Sequence, residues 1–237
     1  MTSENDIAEQ KKALRQEIFA RRRTMTDDQR SAKSDAICQE LIERLQPGKQ
    51  QVIGVYSALT QEVSLHHFID HAFQQGALIA FPCMRKPVFE GQSQFMEMRC
   101  VSYTQYLAAV QLQRWKRRTT GETKGANLNQ KTSDGSINSM QHTAAPFVAN
   151  PMLSFSAEEK AFREFPLVDP RDLTALICPL VAFDSNSNRL GYGGGNYDRY
   201  LPRLSDTCQV IGVAFAEQEV EEVPVEEHDC PIDIISR

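Results

Sequence analysis

The sequence has no apolar run near the roughly 18 residues that a membrane-spanning helix needs. It also lacks a basic excess, because 26 lysine and arginine residues stand against 31 aspartate and glutamate residues, for a formal net charge of -5. Proteins whose main partner is a nucleic acid usually carry the opposite balance. The first residues are polar where a secretion signal is apolar. We therefore expect a cytoplasmic protein that acts on small molecules, without a membrane or nucleic-acid partner.

The sequence also lacks any C-x-x-C pair among its six cysteines. Zinc sites and thiol–disulfide catalysts commonly use such a pair, so neither class is favoured. Several of the cysteines stand inside apolar segments such as LICPLVAF. We interpret them as reduced residues of the core.

Helix and strand patterns alternate along the chain. Residues 7–23 have an amphipathic helical pattern, and the Thr26–Gln29 capping box predicts a second helix that Pro47 and Gly48 end. Short apolar, β-branched runs predict strands at 51–57, 77–81, 95–101, 175–183 and 209–215. Strands separated by helices indicate an α/β fold of three layers, with a mainly parallel sheet and helices on both faces. We expect a single domain over residues 1–237.

Residues 116–146 differ from the rest because they contain almost no large apolar side chain. Such a segment buries too little surface to offset its ordering entropy, so we predict a disordered insert. Its lysines and arginines could contact nucleic acid, but a solvated loop is the favoured interpretation. A second capping box, Ser156 with Glu159, follows the insert and predicts a short helix at 156–165.

Four glycines lie within the five positions from Gly191 to Gly195, between a predicted buried strand and a predicted helix. Glycine allows positive φ and lets successive backbone N–H groups converge on an anion, so this segment, the glycine loop, predicts a phosphate site. A plain turn is the alternative, although one or two glycines would suffice for it. No G-K-[ST] follows, which excludes a Walker loop, and Asn196 or Asp198 occupies the third glycine position of a dinucleotide fingerprint.

Polar residues around the glycine loop suit a nucleotide and a metal ion. Arg189 can neutralise phosphate charge, and Asp198 can either coordinate Mg²⁺ or cap its helix. Tyr192 and Tyr197 could line a site for a ring-shaped ligand, although aromatic residues beside glycine also serve in packing. Asp229 could be a second metal ligand, or part of a solvated acidic turn.

Four segments, taken together, resemble the 5-formyltetrahydrofolate cyclo-ligase family, also called methenyltetrahydrofolate synthetase. They are KKALR, PLVAFD, RLGYGGGNYDRYL and VPVEEHD, in the family's order and spacing. The resemblance implies a NagB/RpiA/CoA-transferase-like α/β domain and ATP- and Mg²⁺-dependent closure of 5-formyltetrahydrofolate to 5,10-methenyltetrahydrofolate, with release of ADP and phosphate. In that chemistry ATP phosphorylates the formyl oxygen, a bridging nitrogen attacks, and phosphate leaves. The partners would be folate and ATP, with the protein acting as a monomer.

The resemblance also implies roles for individual residues. Arg189 and Asp198 would be catalytic, and Asp198 with Asp229 would hold Mg²⁺. Glu62, Tyr192 and Asn196 would contact the folate. The ATP contacts would be Lys11, Arg15, Arg189, Leu190, Gly191, Tyr192, Gly193, Gly194, Gly195, Asn196 and Tyr197.

Two positions depart from the family pattern: Asn196 stands where an aromatic residue is usual, and Leu65 replaces a threonine. Residues 84–170 do not align by motif. Two other functions stay open on the sequence. One is a non-catalytic nucleotide- or folate-binding protein that acts through its basic insert. The other is a phosphosugar isomerase or transferase of similar fold, which would need no ATP.

Overall fold

A computed structural model of the protein describes residues 4–87, 89, 94–120, 142–156, 162–226 and 229–237. The chain divides into two compact units. Unit 1 comprises Met1–Ile79 and Asp169–Arg237, and unit 2 comprises Ala80–Val168. The single domain expected over residues 1–237 stays a prediction. Among the described residues, no helix is both long and apolar enough to cross a membrane.

Unit 1 begins with two long helices, α1 (Glu4–Thr24) and α2 (Asp27–Leu45). The predicted capping box opens α2: the Thr26 hydroxyl accepts from the Gln29 N–H at 3.2 Å, and the Gln29 side chain accepts from the Thr26 N–H at 2.9 Å. A cap of this kind contributes about 1 kcal/mol. Helix α2 ends where Gln46 turns left-handed (φ 44°) ahead of Pro47.

The sheet strands of unit 1 are β1 (Val52–Gly54), β6 (Ala175–Pro179), β9 (Gln209–Ala214) and β10 (Asp233–Ser236). They lie in the order β10-β9-β6-β1, and each neighbouring pair is parallel. The shorter elements of this unit are helix α3 (His66–Gln74), helix α6 (Asn196–Tyr200) and 3₁₀ turns at Pro170–Asp172, Leu201–Arg203 and Ala216–Gln218. Parallel strands carry their following loops at one edge, where ligands of such sheets usually bind.

The single strand predicted over 175–183 is two strands. Strand β6 ends at Pro179, and β7 (Ala182–Phe183) pairs antiparallel with β8 (Arg189–Leu190) in a separate hairpin. The buried side-chain amide of Gln218 explains the break, because it donates to the carbonyls of Leu180 and Val181 at 2.8 and 3.0 Å. The β7–β8 hairpin delivers the chain directly into the glycine loop.

A small apolar cluster lies beneath that hairpin. Ile18 of α1 packs with Val181, Ala182, Leu190 and Val223, all of them 2% exposed or less. The cluster joins three segments that are far apart in sequence: helix α1, the β7–β8 hairpin that leads into the glycine loop, and the start of the VPVEEHD segment. Its burial removes apolar surface from water at about 25 cal/mol per Å². The polar residues that flank these five positions are therefore held near one another.

Unit 2 contains most of β2 (Leu78–Arg85), which begins in unit 1, together with β3 (Phe95–Val101), β4 (Ser154–Phe155) and β5 (Leu167–Val168). Strand β4 is parallel to β2, and β5 is antiparallel to β3. The helices of this unit are α4 (Tyr103–Thr120) and α5 (Pro146–Ala149).

The predicted insert is wrong at both of its ends. Helix α4 continues through Thr120, and the ammonium of Lys116 donates to the Asn150 side-chain oxygen at 2.6 Å. At the other end Ala144 and Ala145 are buried. The segment was predicted to be disordered because its side chains are small. At this end of the segment, however, small side chains are packed inside a core. Residues 121–141 of the predicted insert, and residues 157–161 of the helix predicted after it, lie outside the described part of the chain.

Candidate functional site

The glycine loop leaves β8 and enters helix α6, whose N-cap is Gly195. Gly193 and Gly195 have positive φ angles of 93° and 59°, which glycine adopts at no steric cost. A Cβ at Gly193 would also lie 3.3 Å from the guanidinium carbon of Arg15. These two glycines are therefore required by backbone conformation and by the close approach of a cation. Asp198 is not the helix cap, since Gly195 occupies that position.

Helix α1 brings two of the predicted phosphate ligands to this loop. The Arg15 Nε donates to the Gly191 carbonyl at 2.8 Å. One turn earlier, the Lys11 ammonium lies 2.6 Å from both Glu226 Oε2 and Asp229 Oδ2. Burial by itself lowers the pKa of Lys11, but hydrogen bonds to these two carboxylates outweigh burial and raise it. Lys11 is therefore charged at neutral pH.

A second ion pair joins the residues that flank the loop in sequence. Arg189 is 8% exposed, and its guanidinium is paired with Asp198. The same guanidinium donates to the Cys230 carbonyl, next in sequence to Asp229. Both predicted metal ligands are thus tied to one cationic side chain, Asp198 directly and Asp229 through the adjacent peptide. Across the described residues no group of three or more His, Cys, Asp or Glu side chains could hold a metal ion.

The buried carboxylate of Asp184 connects the hairpin to the VPVEEHD segment. It accepts hydrogen bonds from the backbone N–H groups of Asn186, Asn188 and Val223 at 2.9, 3.1 and 3.0 Å, and from the Asn188 side chain at 3.0 Å. Burial alone would raise the pKa of Asp184, but these bonds outweigh it and lower the pKa. Asp184 thereby positions the segment that carries Glu226 and Asp229.

Glu62 is buried close to Tyr192 of the glycine loop. Its carboxylate accepts from the Leu59 N–H at 2.7 Å and from the Tyr192 hydroxyl. Arg22 completes the group: its Nη1 donates to the Tyr192 hydroxyl at 3.3 Å, and its Nε donates to the Gln61 carbonyl at 2.6 Å. Burial raises the pKa of Glu62, while the hydrogen bonds and the charge of Arg22 oppose that rise.

The remaining predicted residues have distinct environments. Leu190 belongs to the apolar cluster, so only its backbone could reach a ligand. The Asn196 side-chain oxygen accepts from Arg199 at 2.9 Å, and Arg199 also donates to the Gly194 carbonyl at 2.8 Å. The Tyr197 ring lies next to the loop, and burial raises the pKa of its hydroxyl. Asn196 therefore binds a neighbouring arginine where the family pattern has an aromatic ring.

Sequence reasoning did not identify Arg22, Glu226 or Arg199. Arg22 could have been found, because positions 11, 15, 18 and 22 form one helical stripe and carry three cations on it. Glu226 belongs to the VPVEEHD segment, but its contact with Lys11 spans 215 positions and leaves no local signal. Arg199 is an exposed residue of a short helix, and its contacts with Gly194 and Asn196 leave no signal in the sequence pattern.

Comparison with known proteins decides the family. The family model described as "5-formyltetrahydrofolate cyclo-ligase family" matches residues 7–237, including the middle of the chain that no motif aligned. The chain belongs to the 5-formyltetrahydrofolate cyclo-ligase family. The resemblance predicted from its four segments is thereby confirmed.

Curated relatives carry the same name. The chain is 26% identical to a mouse (Mus musculus) 5-formyltetrahydrofolate cyclo-ligase over 227 residues, covering 94% of this chain and 91% of the relative. A shorter match to the Escherichia coli K12 5-formyltetrahydrofolate cyclo-ligase is 47% identical over 74 residues, covering 28% of this chain and 41% of that protein.

Solved structures agree on the fold. A 5,10-methenyltetrahydrofolate synthetase from Mycoplasma pneumoniae matches with a TM-score of 0.58 and 19% identity, covering 94% of this chain and 96% of that one. The Aquifex aeolicus 5,10-methenyltetrahydrofolate synthetase also gives 0.58, at 20% identity, with 95% and 89% coverage. The predicted α/β fold class with a mainly parallel sheet is confirmed.

Proposed function

We propose that this protein uses ATP and Mg²⁺ to cyclise 5-formyltetrahydrofolate to 5,10-methenyltetrahydrofolate, with release of ADP and phosphate. One observation carries the proposal: in a member of the cyclo-ligase family, the glycine loop accepts a hydrogen bond from Arg15, and two acid–base pairs, Lys11 with Asp229 and Arg189 with Asp198, accompany it. That combination suits a nucleotide triphosphate, whose negative charge needs cations and converging N–H donors.

The glycine loop is the proposed triphosphate site. Backbone N–H groups from Leu190 to Tyr197 would donate to phosphate oxygens, since the loop has no bulky side chains at its four glycines. Arg15 already lies against the loop, and Lys11 lies one helical turn away on the same face of α1. Arg189 is the third cation and, with Asp198, the proposed catalytic pair.

Asp198 and Asp229 fit the donor chemistry of Mg²⁺, which binds through one or two carboxylates and completes its shell with substrate phosphates and water. When bound, the ion would neutralise charge on the transferring phosphoryl group. In the structure both carboxylates are paired with cations, Asp198 with Arg189 and Asp229 with Lys11. Nucleotide binding would exchange these partners. Lys11 and Arg189 would donate to phosphate oxygens, which releases Asp229 and Asp198 for the ion. Lys11 would keep Glu226 as its carboxylate partner.

The proposed reaction has two chemical steps. The γ-phosphoryl group passes from ATP to the formyl oxygen, and ADP leaves. The bridging nitrogen of the folate then attacks the formyl carbon and gives up its proton to solvent, and phosphate departs with the oxygen as the ring closes. The chain supplies orientation and charge neutralisation instead of a nucleophile. The proposed folate contacts are Glu62, Tyr192 and Asn196. The aromatic rings of Tyr192 and Tyr197 would line the site of the ring-shaped ligand.

All residues of this proposed site belong to unit 1 of one chain, so we infer that a monomer is competent. The six free cysteines suit a reducing compartment, and we propose the cytoplasm.

The test measures ADP release and the absorbance of the methenyl product in the presence and absence of 5-formyltetrahydrofolate. We expect release to depend on the folate and on Mg²⁺, and Asp198→Ala to abolish it without loss of fold. Asp206→Ala, an exposed aspartate of the same unit, is the matched control. A wild-type protein without folate-dependent ADP release would refute the proposed function, and full activity in Asp198→Ala would remove Asp198 from the site.

A further inference from the structure

Arg22 is the most buried charged side chain among the described residues, with 1% of its surface exposed. A guanidinium so far from water is costly unless hydrogen bonds and an opposite charge compensate it. Its Nε and Nη2 both donate to the Gln61 carbonyl, and its Nη1 donates to the Tyr192 hydroxyl. The carboxylate whose charge opposes that of Arg22 is Glu62, the next residue after Gln61.

Tyr192 connects this group to the glycine loop. Its ring packs on Phe19 of α1 with 5.7 Å between ring centroids, while 42% of the residue stays exposed. Its hydroxyl lies between the guanidinium of Arg22 and the carboxylate of Glu62, accepting from the first and donating to the second. The three side chains come from α1, from the segment after β1 and from the loop after β8.

One face of helix α1 therefore presents cations to two different parts of the proposed site. Arg15 serves the glycine loop, and Arg22, seven positions later, serves Glu62. Ile18 between them anchors the helix in the apolar cluster. The Gln61 carbonyl accepts from two nitrogens of the Arg22 guanidinium but carries no charge. The Tyr192 hydroxyl takes a third nitrogen, and the carboxylate of Glu62 supplies the opposite charge, so the buried arginine is joined to two of the proposed folate contacts.

We propose that Arg22 is a positioning residue that holds Glu62 ionised and aimed at the folate, and that the Tyr192 hydroxyl links this carboxylate to the nucleotide loop. The inference rests on the proposed function, in which Glu62 contacts the folate. An ionised carboxylate accepts hydrogen bonds only, so it selects the N–H groups of a reduced pterin over carbonyl oxygens. Protonation of Glu62 would destroy that recognition.

The charged and titratable groups that face Glu62 are Arg22 from α1, Tyr56 from the segment after β1, and Tyr192 and Tyr197 from the glycine loop and α6. The tyrosines are neutral at physiological pH because burial raises the pKa of each hydroxyl. Arg22 is thus the cation of this set. Its removal takes away the positive charge that opposes the effect of burial on Glu62, so Glu62 would bind its proton at a higher pH.

The first experiment compares Arg22→Gln, Arg22→Lys and the exposed neighbour Arg23→Gln as matched control, with KM values for both substrates. Arg22→Gln should raise the KM for 5-formyltetrahydrofolate about ten-fold or more, because the buried positive charge near Glu62 is lost, with a much smaller change for ATP. The acid limb of kcat/KM for the folate should move to higher pH. Arg22→Lys keeps the positive charge but lacks the planar guanidinium with its several donors. It should return the acid limb of the pH profile toward its wild-type position.

Two further variants separate positioning from folding. Tyr192→Phe keeps the ring on Phe19 and removes only the hydroxyl, so it should shift the same acid limb while the thermal midpoint of unfolding stays close to wild type. In a Glu62→Gln background, Arg22→Gln should cause little additional loss in folate KM, since the carboxylate it serves is gone.

Additive losses in that double-mutant cycle, or an unshifted acid limb in both Arg22→Gln and Tyr192→Phe, would overturn the inference while leaving the proposed function intact. A wild-type protein that shows no folate-dependent turnover would instead refute the proposed function.

Discussion

Replacing Asp184 with asparagine should destabilise the protein strongly, although the side chain keeps its size. One carboxylate oxygen of Asp184 accepts from the Asn186 and Asn188 N–H groups, and the other accepts from the Asn188 side chain and the Val223 N–H. An asparagine amide retains one of these oxygens and turns an NH₂ group toward two donors. Two hydrogen bonds to a charged acceptor are lost, at about 1.5–3 kcal/mol each, so we expect a loss of about 3–6 kcal/mol.

The assay is equilibrium unfolding in urea, with the exposed Asp206→Asn as matched control. The pH dependence has a definite sign. The pKa of Asp184 is lowered in the folded state, so its contribution is fully present above the pKa of an unfolded aspartate, about 3.9. That contribution is lost as the pH falls through the folded-state pKa. The difference between wild type and variant should therefore shrink in acid.

Two results would refute the reasoning: a variant within about 0.5 kcal/mol of wild type at pH 7, the range of ordinary surface substitutions, or a difference that persists unchanged in acid. A functional consequence follows as well. Because Asp184 holds Val223, its replacement should loosen the segment that carries Glu226 and Asp229, and should raise the KM for MgATP in the protein that remains folded.

Three other predictions concern single residues. Lys11→Met should raise the KM for ATP about ten-fold or more, whereas Met at the exposed Lys12 should leave it unchanged; equal effects would remove Lys11 from the phosphate site. Gly193→Ala should cost about 1–2 kcal/mol in unfolding experiments and weaken nucleotide binding, because its φ is 93°, while Gly48→Ala, with open space around it, should cost less. Burial raises the pKa of the Cys178 thiol to about 12, so alkylation followed by mass spectrometry should find it unmodified at pH 8 until the protein unfolds.

Local features were readable in the sequence because their causes lie within a few residues. The Thr26–Gln29 capping box, the four glycines of the loop and the strand periodicity each act over one turn or one strand. The break between Pro179 and Ala182 was not readable in this way, because it depends on Gln218, more than 30 positions later. The ends of the predicted insert were wrong for a similar reason: small residues such as Ala144 and Ala145 pack only when a neighbouring element covers them.

The sequence by itself determined the family, the mainly parallel α/β fold and the existence of a glycine loop with acidic and basic neighbours. Tertiary structure decided which acid meets which base. Lys11 meets Asp229 across 218 positions, and Arg22 meets Tyr192 across 170. These contacts exist because Ile18, Leu190 and Val223 bury their side chains in one cluster, which fixes how α1 lies against the loop. The hydrophobic effect is non-directional, so a sequence motif does not show which apolar residues will pack together. The charge pairs that depend on this packing therefore become visible only in the folded structure.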